Sequence, residues 1–201
     1  KQSTIVYLTT TINCIDLDFL KYSLYYSFRK FDHRKNMATG MPCYKVILHG
    51  EYGVGKSSIF RRFMGNSFPS KIEGKQSTIG LDQSTRVIKI GTKSIKMTLW
   101  DTGGIERMSF QGASYYRGAH AALLVYNVSN KDTFAVLSQY ILDIVMNAEG
   151  AKLFLCGNMS DKVTPDIGTT CVTDTDLEQF MSQCENVFSG VYRISCKDSN
   201  G

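Results

Sequence analysis

This sequence lacks any apolar run long enough to cross a bilayer as a helix. Its most apolar N-terminal stretch, residues 4–28, is interrupted by Asp16, Asp18 and Lys21. The same stretch has no basic start, no uninterrupted apolar run and no small-residue cleavage site, so it does not resemble a secretory signal. The sequence therefore predicts neither a membrane-spanning helix nor export.

The sequence also has no cysteine framework and no basic face. Its six cysteines show no metal-ligand spacing, so we expect reduced thiols and a cytoplasmic location. The net charge is +5, but residues 1–36 alone hold six basic and three acidic side chains. The remainder is close to neutral, which excludes a nucleic acid as the expected partner.

The first 40 residues differ in composition from the rest. They contain no glycine before Gly40 and are rich in threonine, tyrosine and leucine. We expect residues 1–40 to be a poorly structured extension or a sequence that is not native to the protein. An amphipathic helix over 18–31 that docks on the following domain is the alternative.

Residues 41–201 alternate between strand and helix patterns and predict one α/β domain. Its sheet is expected to be six-stranded and mostly parallel, with helices on both faces. Ligands of such sheets lie at the carboxyl ends of the strands. The predicted strands are 44–49, 85–90, 94–100, 121–126, 152–156 and 191–194, and the predicted helices are 58–64, 132–146 and 174–184.

Residues 50–57 fit the pattern G-x-x-x-x-G-K-[ST] between a predicted strand and a predicted helix. Backbone N–H groups of such a loop converge on phosphate oxygens, and the helix N-terminus favours the negative charge. Lys56 is expected to reach the β- and γ-phosphates, and the Ser57 hydroxyl to bind Mg²⁺. The alternative is a chance glycine turn. The predicted phosphate contacts are Gly50, Glu51, Tyr52, Gly53, Val54, Gly55, Lys56, Ser57 and Ser58.

Four further segments separate a GTP-binding protein from kinases and ATPases, which share this loop. Asp101 follows a strand and is placed to hold Mg²⁺ through a water, while Thr78 would complete the metal shell. Gly104 can turn an N–H onto the γ-phosphate. Asp161 can accept hydrogen bonds from guanine N1 and N2, which adenine does not offer. The predicted guanine contacts are Asn158, Met159, Asp161, Ser195, Cys196 and Lys197, the last three facing O6 through backbone N–H.

In this order the segments resemble the Ras superfamily of small GTPases, most closely the Rab branch. Residues 78–82 resemble TIGxDF, 100–107 resemble WDTAGQER, and 124–128 with Phe134 resemble LVYDV…SF. Residues 115–119 match the Rab run YYRGA. The resemblance implies a P-loop NTPase fold of the Ras-like type that binds GTP or GDP with Mg²⁺. It also implies a switch in vesicle trafficking that meets effectors, exchange factors and GAPs through two segments, switch I (residues 68–78) and switch II (about residues 103–118).

Several positions depart from that family's pattern. Ile105 occupies the place of the glutamine that orients the attacking water, which predicts slow intrinsic hydrolysis. The expected catalytic positions are therefore Lys56, Thr78, Gly104 and an impaired Ile105. Tyr52 stands near the γ-phosphate, where a ring would hinder an incoming arginine finger. Met159 replaces the lysine of NKxD, Cys196 replaces the alanine of SAK, and Gln83 replaces the phenylalanine of TIGxDF.

Two alternatives stay open on function. A hydrolysis-deficient or nucleotide-locked scaffold is favoured by Ile105, Tyr52 and Met159. An adenine-nucleotide enzyme is disfavoured by Asp161 and the YYRGA run. The sequence given stops at Gly201, so the family's last helix and prenylated tail are not expected in it, and membrane contact requires such a tail.

Overall fold

The computed structural model describes residues 40–65, 81–102, 112–163, 170–184 and 186–198. The extension predicted for residues 1–40 lies outside these ranges except for Gly40 and stays a prediction. The strands are β1 (Cys43–His49), β2 (Asp82–Ile90), β3 (Lys93–Asp101), β4 (Ala121–Asn127), β5 (Lys152–Asn158) and β6 (Phe188–Arg193). The α-helices are α1 (Lys56–Gly65), α2 (Ala113–Tyr116), α3 (Lys131–Ala135), α4 (Leu137–Asn147) and α5 (Asp174–Gln183), and a 3₁₀ turn spans Ser160–Lys162.

The six strands form one sheet in the order β2-β3-β1-β4-β5-β6. All neighbouring pairs are parallel except β2 and β3, which form an antiparallel hairpin around Gly91. The predicted fold class, a mostly parallel six-stranded sheet with helices, is confirmed. The register pairs Leu48 with Asp101 and Asn127 with Asn158, so the carboxyl ends of β1, β3, β4 and β5 meet at one edge.

Side-chain patterning explains which strands lie in the middle. In β3 the buried residues Ile95, Met97 and Leu99 alternate with partly exposed ones, as expected for a strand with one buried face. In β4 every residue from Ala121 to Tyr126 is buried, because a central parallel strand is covered on both faces. Helix α1 contributes to the core on one face, and α2 to α5 contribute to the core on the other.

Most predicted elements differ from the structure by one to three residues at their ends, and the sequence explains two of the differences. The single helix predicted for 132–146 is divided at Val136 into α3 and α4. Asn130 caps α3, because its side chain accepts from the N–H of Asp132. The last strand begins at Phe188, before the predicted 191–194. Its polar start at Ser189 and Gly190 hid the strand pattern, and the neighbouring ladder carries a register shift between Leu153 and Phe154.

Among the described residues, no helix is long and apolar enough to cross a membrane.

Candidate nucleotide-binding site

The loop between β1 and α1 depends on glycine for its shape. Gly50, Gly53 and Gly55 have φ values of 132°, 79° and 94°, a region that side chains disfavour. A Cβ on Gly50 would lie 2.2 Å from the carbonyl oxygen of Val125 in β4. The loop therefore runs closely over the carboxyl end of the central strand.

Lys56 begins α1 and folds back over this loop. Its side chain is buried, and its ammonium donates to the carbonyl oxygens of Gly50 and Glu51, each at 2.8 Å. The N–H groups of Ser58 and Ile59 donate to Gly55, which starts the helix directly at the loop. A buried ammonium beside a helix N-terminus is suited to binding phosphate.

The side chain of Glu51 is occupied within the protein. Its Oε1 accepts from the N–H of Tyr52 at 2.8 Å, and its Oε2 accepts from the Tyr140 hydroxyl of α4 at 3.0 Å. The carboxylate thus holds the loop to α4. The sequence placed Glu51 and Tyr52 among the phosphate contacts, and that role stays a prediction for both. Tyr140 was missed, because nothing in its local pattern marks a partner in the loop.

Asn158, at the end of β5, connects residues 158–161, which are predicted to contact guanine, to the glycine loop. Its Nδ2 donates to the carbonyl oxygen of Val54 at 2.9 Å, and the side chain is buried. A Cβ on Gly55 would lie 2.3 Å from this Nδ2 and 3.5 Å from Cε of Met159. Met159 adopts the left-handed conformation with φ of 64°, and its Cε lies beside Gly55. The structure thus brings Asn158 and Met159 to the loop, and their predicted contact with guanine stays a prediction.

Asp161 and the segment after β6 lie side by side. The Ser195 hydroxyl donates to Oδ1 of Asp161 at 2.8 Å, and the N–H of Ser160 donates to the carbonyl of Ile194 at 3.1 Å. Burial raises the pKa of the Cys196 thiol to about 12, so this side chain stays neutral. Lys197 is exposed. All six predicted guanine contacts therefore belong to two adjoining segments at the carboxyl end of the sheet.

Comparison with known proteins agrees with this arrangement. Residues 45–200 match the Ras family. The chain belongs to the Ras family. Ras-related protein Rab-25 of Homo sapiens is 40% identical over 119 residues, which are 59% of this chain and 54% of the relative. Ras-related protein Rab-11A of Dictyostelium discoideum is 43% identical over 119 residues, with the same shares.

The chain spans about half the length of the curated relatives it matches. These matches confirm the predicted recognition of a Ras superfamily small GTPase close to the Rab branch.

The residues predicted to hold Mg²⁺ in this Ras family protein are divided between described and undescribed parts of the chain. Asp101 is fully buried at the end of β3, and Ser57 lies in the first turn of α1. Within the described ranges, no group of three or more histidine, cysteine, aspartate or glutamate residues could hold a metal by itself. One hydroxyl and one carboxylate fit Mg²⁺, since this ion keeps several waters and takes further oxygens from substrate phosphates.

Three predicted catalytic positions lie outside the described residues. Thr78 falls in residues 66–80, and Gly104 and Ile105 fall in residues 103–111. Their predicted roles stay predictions.

The YYRGA run lies beside the end of β3. The ammonium of Lys45 donates to the carbonyls of Ser114 and Arg117, each at 3.1 Å, and lies 3.9 Å from the centre of the Trp100 ring. Burial lowers the pKa of Lys45. Lys45 therefore fixes both the tryptophan and the turn after α2 in this Ras family protein.

Gln83, the residue that replaces the phenylalanine of TIGxDF, lies in β2. It is paired with Trp100 of β3 in the antiparallel ladder, and it is exposed.

Proposed function

We propose that this chain is a GTP-binding switch of the Rab type. The observation that carries the proposal is the hydrogen bond from Asn158 to Val54, because it joins a phosphate loop to a base-recognition segment within one buried contact. The loop proposed to bind phosphate and the segment proposed to bind the base are thus directly connected. Membership of the Ras family and the similarity to Rab relatives support the same function.

Asp161 supports guanine as the base. Ser195 donates to one carboxylate oxygen and so holds the group in one orientation. A carboxylate fixed in this way accepts from the N1–H and the N2 amino group of guanine. Adenine offers neither donor at these positions, and sites that hydrogen-bond a substrate group reject analogues lacking it by about 10⁴–10⁵.

Lys56 supports a triphosphate switch. Its ammonium bonds to two loop carbonyl oxygens and would exchange them for phosphate oxygens when a nucleotide binds. Ser57 and Asp101, with Thr78 from switch I, would hold Mg²⁺, which neutralises charge on the β- and γ-phosphates. Release of the γ-phosphate would let switch I and switch II relax, which is how such switches change partners.

The partners of this switch would be effectors, an exchange factor and a GAP, all reached through the two switch segments. Action in vesicle trafficking follows from the Rab-like sequence. A cytoplasmic protein of this kind reaches the cytosolic face of an intracellular membrane when a lipid is attached to its tail.

Slow intrinsic hydrolysis is part of the proposal. A branched alkyl side chain at position 105 neither donates to nor accepts from the attacking water, whereas the usual glutamine does both. A nucleotide-locked scaffold is the second candidate. Tyr52 favours it, because a ring near the γ-phosphate would hinder an incoming arginine finger.

Calorimetric titration of the purified chain with GTP and with ATP, both with Mg²⁺, tests the first proposal. We expect tight binding of GTP and a preference of at least about 10³ over ATP. Equal affinities would contradict it. Nucleotide released from the purified protein by acid and identified by chromatography gives an independent measurement.

Single-turnover hydrolysis by the wild type and by Ile105→Gln separates the switch from the scaffold. We expect the variant to hydrolyse GTP at least about tenfold faster. A wild type as fast as the variant would contradict slow hydrolysis. No turnover in either protein, with GTP bound, would favour the scaffold.

A further inference from the structure

Arg62 lies on the buried side of α1, six residues after Lys56. It shares this side with Ile59 and Phe63, which belong to the hydrophobic core, and only 8% of Arg62 is exposed. A guanidinium is rarely buried to this extent unless its donors are used. Its contacts therefore show what the residue does.

The guanidinium of Arg62 bonds to the segment that follows β6. Its Nε donates to the carbonyl oxygen of Cys196 at 2.6 Å, and one terminal nitrogen donates to the carbonyl oxygen of Lys197 at 3.1 Å. The planar guanidinium of Arg62 thus binds the carbonyl oxygens of two successive peptide groups. Such charge-assisted pairs are stronger than neutral hydrogen bonds.

The same two peptide groups are held from the opposite side by Ser195. In a planar trans peptide the C=O and the N–H point in opposite directions. The carbonyls of Cys196 and Lys197 point to Arg62, and the N–H groups of Lys197 and Asp198 donate to the Ser195 hydroxyl oxygen at 3.2 and 3.1 Å. Residues 196–198 are therefore held between the Arg62 side chain of α1 and the hydroxyl of Ser195.

Ser195 in turn orients the carboxylate of Asp161, the group proposed to select the base. Because its oxygen accepts two N–H groups, its hydroxyl hydrogen is directed away from them. That hydrogen is donated to Oδ1 of Asp161 at 2.8 Å. A continuous path of hydrogen bonds thus runs from Arg62 through two peptide groups and Ser195 to Asp161.

We propose that Arg62 is a positioning residue for base recognition, which couples the helix that begins at the phosphate loop to the orientation of Asp161 and the Cys196 backbone. It does not touch the nucleotide. The inference rests on the proposed function and adds a residue that no sequence motif assigns to the guanine site. Its loss would weaken contacts to the base while leaving contacts to the phosphates in place.

The test compares two ligands with the full chain. GDP offers O6, N1–H and the N2 amino group, whereas the diphosphate of 2-aminopurine riboside keeps the amino group and lacks O6 and N1–H. For the wild type, Arg62→Ala and Arg62→Lys, the affinities of both ligands are measured by calorimetry with Mg²⁺. Arg61→Ala is the matched control, since Arg61 is the exposed neighbour on the same helix.

We expect Arg62→Ala to lower the preference for GDP over the analogue by about tenfold or more. Loss of a hydrogen bond to a charged group changes an equilibrium constant by roughly this factor. Arg62→Lys keeps the charge but replaces the two donor nitrogens of the planar fork with a single ammonium nitrogen, so its preference should fall between those of the wild type and the alanine variant. Arg61→Ala should keep the wild-type preference.

A variant that weakens both ligands by the same factor, as general loss of stability would do, contradicts the inference. Arg61→Ala and Arg62→Ala giving the same preference contradicts it as well. If Arg62→Ala does not fold, Arg62→Lys alone decides by the same ratio. A wild type that binds GDP no better than ADP would instead overturn the proposed function, so the two failures are distinct.

Discussion

The side-chain amide of Asn158 donates to the backbone carbonyl of Val54, and both residues are buried. One residue comes from the end of β5 and the other from the loop before α1, which are 104 positions apart. This bond fixes the distance between the loop proposed to bind phosphate and the segment proposed to bind the base.

Asn158→Ala should weaken GDP binding by about tenfold to a hundredfold. The substitution leaves the buried carbonyl of Val54 without its donor, which costs about 1–3 kcal/mol. Calorimetric titration measures the change. Asn147→Ala is the control, because Asn147 is exposed and donates only within α4. Equal losses in the two variants would show that the bond to Val54 does not shape the site.

Gly55→Ala should impair the site more than Gly53→Ala. Both glycines have positive φ, so both variants carry backbone strain. At Gly55 the added Cβ would lie 2.3 Å from Nδ2 of Asn158, whereas none of the described residues lies within 4 Å of the one at Gly53. We expect GDP affinity to differ between the variants by roughly tenfold. Similar affinities, measured at matched thermal stability, would contradict this reading of the contact.

Asp161→Asn should change the preferred base. The amide nitrogen donates where the carboxylate accepted, so it opposes the N2 amino group of guanine and suits the C2 carbonyl of xanthine. We expect GDP affinity to fall by about a hundredfold or more and the diphosphate of xanthosine to bind better than GDP. Asp198→Asn, at an exposed position beside the same segment, should keep the preference for GDP. A retained guanine preference in Asp161→Asn would exclude Asp161 as the selecting group.

His120 should make stability depend on pH. The N–H of Lys45 donates to its Nδ1 at 3.0 Å, and burial, followed by the Lys45 ammonium, lowers the pKa of the imidazole. The unfolded chain therefore takes up this proton at higher pH than the folded protein. Its contribution to stability is present above a pH of about 6.5 and is lost as the pH falls below that value.

Urea unfolding at pH 7.5 and pH 5.5 measures this dependence. The wild type should lose more free energy of unfolding between the two values than His120→Asn, which keeps an acceptor and cannot titrate. An equal loss in both proteins would assign the dependence to other groups.

The phosphate loop and the strands could be predicted because their signals are local. The glycines at 50, 53 and 55 appear in one short pattern, and the conformation of each is the reason for the pattern. The alternation of Ile95, Met97 and Leu99 with polar residues likewise predicted β3 as a strand with one buried face. The base site was predicted from short segments that follow buried strands, since parallel strands end at a common edge.

Arg62 and Tyr140 could not be found in the same way, because their partners are 134 and 89 positions distant. Arg62 did leave one signal, a charged residue on the helix side that Ile59 and Phe63 make apolar. That pattern shows that a buried partner exists and does not identify it. The break at Val136 was missed because the apolar periodicity of 132–146 continues across it.

The three tethers of the loop (Lys56 from α1, Tyr140 from α4 and Asn158 from β5) have a kinetic consequence. Because the loop is already held by three residues, it loses little conformational entropy when a ligand binds. Capture of different purines should then proceed at similar rates. In the proposed switch, selectivity would therefore depend on the residence time of each nucleotide, and an exchange factor would act by shortening that time.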